Sequence, residues 1–464
     1  MRLFGRVEDH VWGVFGTRSA AASCWTDLDR WSSGSKSNFH AKHSVSPSAR
    51  GVRFTGRQRV CNPARRRDHD IEMATKMFPI GCGATLRELE DNPHPLLARL
   101  RAAEPVSWLA VLGGWLVSRY DLAVRVMRDP ITFTVDNPRF STSRVVGPSM
   151  LSLDDGADQA RHREPFAHPF HPARVRDRFT GFIQVESDRL ISAIQPAGGA
   201  ELRRELAGPL AVAVVTEALG LRDVDADTVL SWYAAIVAAV SEVTAGQPVT
   251  VAGADAFGQL RAAVARAIGH TDKPSLLTEA ARAPRGLSQD EVVSNAAVLT
   301  FGGIDTTEGM IVNAVRHLLG DPEALALVRD GADLLPNTIE ESIRLEPAAS
   351  VIDRYATRDV ELAGARIQRG DLVTVSIAGA NRDPAVFTDP HRFNILRVNA
   401  RLNLAFALGP HFCLGAQLAR TETAIAVGRL LDRLPGLRLD PDHPNVPRGL
   451  VFRKSPTLHV RWTV

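Results

Sequence analysis

Cysteine is scarce here, and its scatter excludes more than its number does. The chain has four cysteines in 464 residues, at positions 24, 61, 82 and 413, with no C-x-x-C pair among them. Neither a disulfide framework nor a cysteine-rich zinc cluster fits that spacing, and a reducing cytoplasm is the expected setting. Long apolar runs are missing as well. No segment approaches the roughly 20 apolar residues that a bilayer-spanning helix requires, so no transmembrane segment is expected. There is no internal repeat, and strands do not alternate with helices as a parallel α/β fold demands. Acidic residues are sparse at the start. Through residue 67, thirteen Arg or Lys face four Asp or Glu, a local charge of +9; with +3 overall, the remainder carries −6.

That basic stretch has a Ser-rich centre, WSSGSKSNFHAKHSVSPSAR, and no helical or alternating period with which to build a core. Three readings compete: a targeting segment, a nucleic-acid contact through Arg65 to Arg67, or a disordered extension ahead of a true start at Met73 or Met77. The third needs the least. Residues 1–72 are therefore set aside as a disordered basic extension, no nucleic acid is expected as a partner, and residues 73–464 are taken as one folded domain.

What is present is ordinary for a globular protein, with 45% hydrophobic and 23% charged residues. From about residue 83 the apolar spacing is helical. A short alternating run, VSWLAVLGGWLVSR, predicts a hairpin. Amphipathic stretches follow at about 119–129, 158–168, 172–194, 203–220, 226–244, 253–270, 289–319, 321–330 and 334–346. Strand-like material returns at 354–384, where Gly364 and Gly370 mark turns. A helix over 414–434 and a closing hairpin near 450–463 complete the chain. The expected fold class is mainly α with small β-sheets.

Three short segments carry chemistry. The first is FALGPHFCLGAQLAR, residues 406–420, which sets Cys413 between a glycine-rich loop and a helix start. Gly409 and Pro410 make a tight turn, Phe406 supplies an aromatic wall, and Gly415 removes bulk beside the sulfur, so a large flat group can lie against the backbone. A thiolate is stabilised at a helix N-terminus, where it can serve as metal ligand or nucleophile. His411 stands two residues away as a base, which keeps a cysteine hydrolase open, and a buried structural cysteine is the commoner case.

The second segment, TFGGIDTTEGM, lies inside a helical stretch yet spends two adjacent glycines at about 1 kcal/mol each. Gly302 and Thr306 share a face at i and i+4, and Thr306 can bond back to the carbonyl four residues earlier, loosening the helix. Asp305 beside Thr306 puts a carboxylate and a hydroxyl at one cavity, which suits proton relay. Close helix packing is the alternative. The third is EESIRLEP, with Glu341 and Arg344 on one helix face, followed by Arg392 in DPHRFN.

These segments, in this order and spacing, resemble the cytochrome P450 family of haem-thiolate monooxygenases, which use a cysteine-ligated haem. FALGPHFCLG resembles the family's F-x-x-G-x-x-x-C-x-G loop, GGIDTT its oxygen-binding helix motif, and Glu341, Arg344 and Arg392 its E-x-x-R and later arginine. The resemblance runs from about residue 83 to the C-terminus and includes GANRDP at 379–384. It implies haem b, with iron ligated by Cys413 as the metal site. His411, Arg354 and Arg163 match propionate-binding positions, where charge-assisted bonds suit such donors. Gln159 stands where the bacterial pattern usually has histidine, and Ala407 where glycine is frequent. Asp305 and Thr306 match the acid–alcohol pair that delivers protons during dioxygen activation.

The resemblance to soluble bacterial members further implies a ferredoxin-type electron donor docking near Arg420, Arg401 and Arg397. The substrate is expected to be a lipophilic small molecule, oxidised with O2. Its candidate lining is the loop at 133–150, Leu299, Ile304, Ala349, Ser350, Val351 and Phe452. Two rivals remain: a haem-thiolate protein that does not activate dioxygen, such as an isomerase or peroxygenase, and a haem-binding sensor or carrier without turnover.

Overall fold

The computed structural model describes residues 76–464, apart from 154–155, 245, 270–274 and 284–285. The extension at 1–72 lies outside the described residues. Nine helices position the site: α1 (Ala157–Ala167), α2 (Pro172–Ile194), α3 (Gly208–Leu219), α4 (Ala226–Thr244), α5 (Val251–Gly269), α6 (Gln289–Gly303), α7 (Asp305–Leu319), α8 (Leu335–Leu345) and α9 (Ala416–Arg433). Their ends follow local chemistry. Pro172 opens α2 at a position that has no helical N–H partner to lose. Gly220 closes α3 at φ 79°. Ser288 and Glu291 form a reciprocal capping box at the start of α6.

α2 and α9 pack along one another, and Phe179, Ile183, Ile191, Val427 and Leu430 enter the largest core. Each such side chain stabilises the fold by about 1.5–3 kcal/mol on burial. α4, at mean hydropathy 1.3, is long and apolar enough to cross a membrane by length and composition alone. Here it packs against α5, burying Val229, Trp232, Tyr233 and Ile236.

Among the described residues, ten short strands form three sheets. The largest contains β1 (Val106–Leu109), β2 (Gly114–Val117), β3 (Phe133–Thr134), β5 (Val351–Ala356) and β8 (Leu372–Ser376) in the order β1-β2-β8-β5-β3, with β2 and β8 parallel. β1 and β2 are the expected hairpin, with Val106 opposite Val117. β6 (Val360–Leu362) and β7 (Ala365–Ile367) pair around Ala363 and Gly364, both at positive φ. The closing segment differs from the expected hairpin. β10 (His459–Arg461) pairs instead with β4 (Gly199–Glu201) and β9 (Arg438–Leu439), while isolated bridges join Ala349 to Phe452 and Arg448 to Lys454.

A buried ion cluster fastens α8. Arg344 and Glu341 are fully buried, with Nε and Nη2 of Arg344 reaching the two carboxylate oxygens at 2.7 and 2.9 Å. The third member is Arg397 and not Arg392. Arg397 Nε donates to both Glu341 oxygens at 3.0 Å, whereas Arg392 is exposed and contributes only its backbone carbonyl, to Arg344 and Arg397. The chain turns outward at Arg392 and re-enters five residues later. Arg397, buried in this cluster, is thereby removed from any surface that a partner could touch.

Candidate active site

One wall of the site is built from backbone. Cys413 N donates to Phe406 O at 2.9 Å and Phe412 N to Gly409 O at 3.0 Å, folding 406–413 into a tight loop before α9. Gly409 sits at φ 72°, and a Cβ there would lie 2.6 Å from the carbonyl oxygen of Met127. Ala407 adopts φ 57°, a left-handed conformation that costs a non-glycine residue about 1–2 kcal/mol. The substitution is thus a strained one. Cys413 is exposed to solvent, although protein packs around its sulfur on the loop side. That packing pushes its thiol up, against the N–H groups of Gly415 and Ala416 and the charges of Arg163 and Arg420. A Cβ on Gly415 would stand 4.0 Å from that sulfur.

Cations gather beside the loop. Arg163, from α1, donates to Phe412 O. Arg354, from β5, is buried and donates to Asp353 O at 2.8 Å. Burial, with Arg354 and Arg163 nearby, pushes the His411 imidazole down to about 3. Gln159 Nε2 reaches Pro410 O at 3.2 Å and braces the loop.

The other wall is a broken helix. The expected continuous helix over 289–319 divides at Ile304, whose ψ of −74° separates α6 from α7. Thr306 donates its hydroxyl back to Gly302 O, as anticipated. A Cβ on Gly302 would meet nothing within 4 Å, whereas one on Gly303 would come within 2.3 Å of Val215. The first glycine leaves open space and the second permits packing. Met310, one turn beyond Thr306, shares a buried cluster with Phe406 and Ala416, which flank Cys413 in sequence. α7, which begins at the break, also packs against α9, which begins just past the cysteine loop.

Asp305 is held on both oxygens. Oδ1 accepts from Lys454 Nζ at 2.8 Å and Oδ2 from the Tyr233 hydroxyl. Lys454 also reaches Glu308 at 3.0 Å, and Arg203 pairs with Glu308. Burial would raise the Asp305 carboxyl, but Lys454, Tyr233 and Arg203 together hold it below its usual value. Sequence reasoning missed Lys454, Tyr233, Glu308 and Arg203. The one available signal was rarity, since lysine occurs five times in the chain and tyrosine three times.

The expected substrate lining divides. Phe452 is exposed, while Ala349, Val351 and Leu299 are half-buried. Ile304 is 1% exposed and packs in the main core, and Ser350 is buried with its hydroxyl donated to Leu450 O. Neither Ile304 nor Ser350 opens onto the cleft.

This donor set suits a haem. Among the described residues no three His, Cys, Asp or Glu side chains gather, so a metal on Cys413 would draw its other ligands from a prosthetic group. The arginines beside it suit carboxylates, and the glycine-lined floor suits a flat ring. The cytochrome P450 family profile matches residues 270–456. The chain is 34% identical to the cytochrome P450 monooxygenase PikC of Streptomyces venezuelae, over 82% of this chain and 93% of that protein.

The chain belongs to the cytochrome P450 family. It is also 32% identical to nocardicin C N-oxygenase of Nocardia uniformis subsp. tsuyamanensis, over 84% of this chain and 99% of that one. Among solved structures it is similar to HmtN, a post-tailoring hydroxylase involved in himastatin biosynthesis. The TM-score is 0.71 at 30% identity, covering 82% of this chain and 100% of that chain. The fold is the P450 fold, mainly helical with small sheets, and the protein is a P450 monooxygenase.

Proposed function

We propose that this P450 binds haem b through the Cys413 thiolate and inserts one oxygen atom from O2 into a lipophilic small molecule, in the cytoplasm, with electrons from a ferredoxin-type donor. The observation that carries this reading is the open space at Gly302 on a helix whose Met310, one turn past Thr306, shares a buried cluster with Phe406 and Ala416 on either side of Cys413. Arg163, Arg354 and His411 would hold the propionates, with Gln159 steadying the loop. When bound, the haem supplies dioxygen activation and electron storage. The Gly302 gap leaves room above the ring, the Thr306 hydroxyl stands ready at that gap, and Asp305 connects it to protonatable groups. An oxygenase needs such an acid–alcohol pair, and a carrier or sensor does not.

Phe452, Ala349 and Val351 present apolar surface, which supports a lipophilic substrate. The relatives' names, an N-oxygenase and a hydroxylase among them, support oxygen insertion as the reaction. Exposed Leu396, Val398, Leu402 and Phe412, with Arg401 beside them in sequence, support a docking surface for an acidic electron-transfer protein near the cysteine loop. Arg420 is less available, since Glu340 holds it at 2.6 Å.

The test is a ligand-induced Soret-shift screen over lipophilic compounds. NADPH use and product are then measured with a surrogate ferredoxin and its reductase. Hits that are oxygenated support the reading; haem binding with no coupled product from any hit would contradict it.

A further inference from the structure

The Asp305 carboxylate is the group through which protons would reach the Thr306 side of the cleft, yet neither of its oxygens is engaged there. Oδ1 is taken by Lys454 Nζ and Oδ2 by the Tyr233 hydroxyl. Tyr233 offers no water path, because its ring lines an apolar pocket with Trp232, Ile236 and Phe301 between α4, α5 and α6. The polar side of Asp305 is Lys454, whose side chain is one-tenth exposed.

Lys454 belongs to the closing segment. Two residues earlier Phe452 bridges to Ala349, Arg453 N donates to Ala348 O at 2.8 Å, and Arg448 N donates to Lys454 O at 2.9 Å. The segment that carries the exposed Phe452 therefore also carries the ammonium that binds Asp305. Arg203, from the irregular turn before α3, closes the set by pairing with Glu308 and donating to Pro456 O at 2.8 Å. Two cations and two carboxylates balance.

We infer that Lys454 is a positioning residue for proton delivery: it holds Asp305 ionised and turned to the closing segment, and Asp305 serves Thr306 only when that contact opens. The inference rests on the assignment of Asp305 to proton delivery proposed above. The groups that set its charge are Lys454 from the closing segment, Arg203 from the π-helical turn before α3, Tyr233 from α4 and Glu308 one turn along α7. Without Lys454, burial acts on the carboxyl with weaker opposition and its proton affinity rises. Asp305 should then titrate higher than it does in the native protein.

The test uses the full-length holoprotein in its reduced, CO-bound, diamagnetic form, labelled with carboxyl-13C aspartate, with Asp305→Asn identifying the Asp305 resonance. In Lys454→Met, Asp305 should titrate at least about one unit higher, a tenfold gain in proton affinity. Lys454→Arg should restore the native titration, and Lys454→Gln serves where the Met variant folds poorly. Product formed per NADPH should then gain a pH-dependent limb at that same pH in the Met or Gln variant, and none in wild type. An unmoved resonance, or a moved resonance without the limb, overturns the inference for Lys454. Unchanged product per NADPH in Asp305→Asn overturns the assignment of Asp305 itself, an outcome distinct from both.

Discussion

Two buried ion networks in this protein look alike in charge and differ in freedom. At α8, Arg344 and Arg397 spend their remaining donors on the carbonyls of Asn381, Pro390, Thr388 and Asp389. Those acceptors are backbone and cannot turn away. At the α6–α7 break, Asp305 is gripped by two side chains from distant segments, Lys454 and Tyr233, and either can swing off by changing a rotamer. The first network is a clamp on the fold. The second is a contact that can open. A third carboxyl shows what burial does without partners: Glu422, on α9 nine residues past Cys413, has an orphaned Oε1 and is pushed up to about 8.

Breaking the clamp should have the largest effect. Arg344→Ala leaves Glu341 buried with one partner fewer, a change that costs about 3–5 kcal/mol when a buried pair loses a member. Little folded, haem-loaded protein should be recovered, as measured by haem content per chain after purification. Near-native recovery would show that the cluster is not what fastens α8.

Next comes the open contact's working end. Thr306→Ala should leave haem content and substrate-induced spectral shifts nearly intact, because the threonine hydroxyl bonds to the Gly302 carbonyl across the α6–α7 break and holds no other segment. Product per NADPH should fall toward the low end of the roughly 10²- to 10⁴-fold range typical of acid–base groups, with hydrogen peroxide released in its place. Unchanged coupling would make the Gly302–Thr306 segment a packing device.

How much of this was legible from the sequence divides along the same line. The cysteine loop, the glycine pair and the i to i+3 pair at Glu341 are local patterns, and local spacing is what a sequence displays. The partners of Asp305 come from positions 203, 233 and 454, which only the folded chain brings together. Arg392 was mistaken for Arg397 because both are arginines in one irregular stretch, and no period tells which side chain turns inward. Ala407 differs from glycine by one methyl group, and only the folded backbone, at φ 57°, makes that methyl a source of strain.

Glu422 sharpens the comparison through pH. Its folded value lies above that of an unfolded glutamate, so ionisation favours the unfolded chain. The protein should lose stability as pH rises from about 4.3, the ordinary glutamate value, toward about 8. Glu422→Gln should flatten that slope in thermal unfolding measured across the range; an unaltered slope would mean that Glu422 finds a partner. The smallest effect belongs to Ala407→Gly, which should stabilise the loop by about 0.5–1 kcal/mol by relieving left-handed backbone strain. A lower melting temperature in that variant would contradict the strain.

The central claim, a thiolate at Cys413 under the broken helix, is tested most directly by the Soret band of the reduced, CO-bound protein. Wild type and Cys82→Ala should both show the red-shifted band of thiolate-ligated ferrous haem, because Cys82 lies away from the cleft with its thiol directed at Trp108 O. Cys413→Ala should lose it. Retention of the band in Cys413→Ala, or its loss in Cys82→Ala alone, would contradict the account.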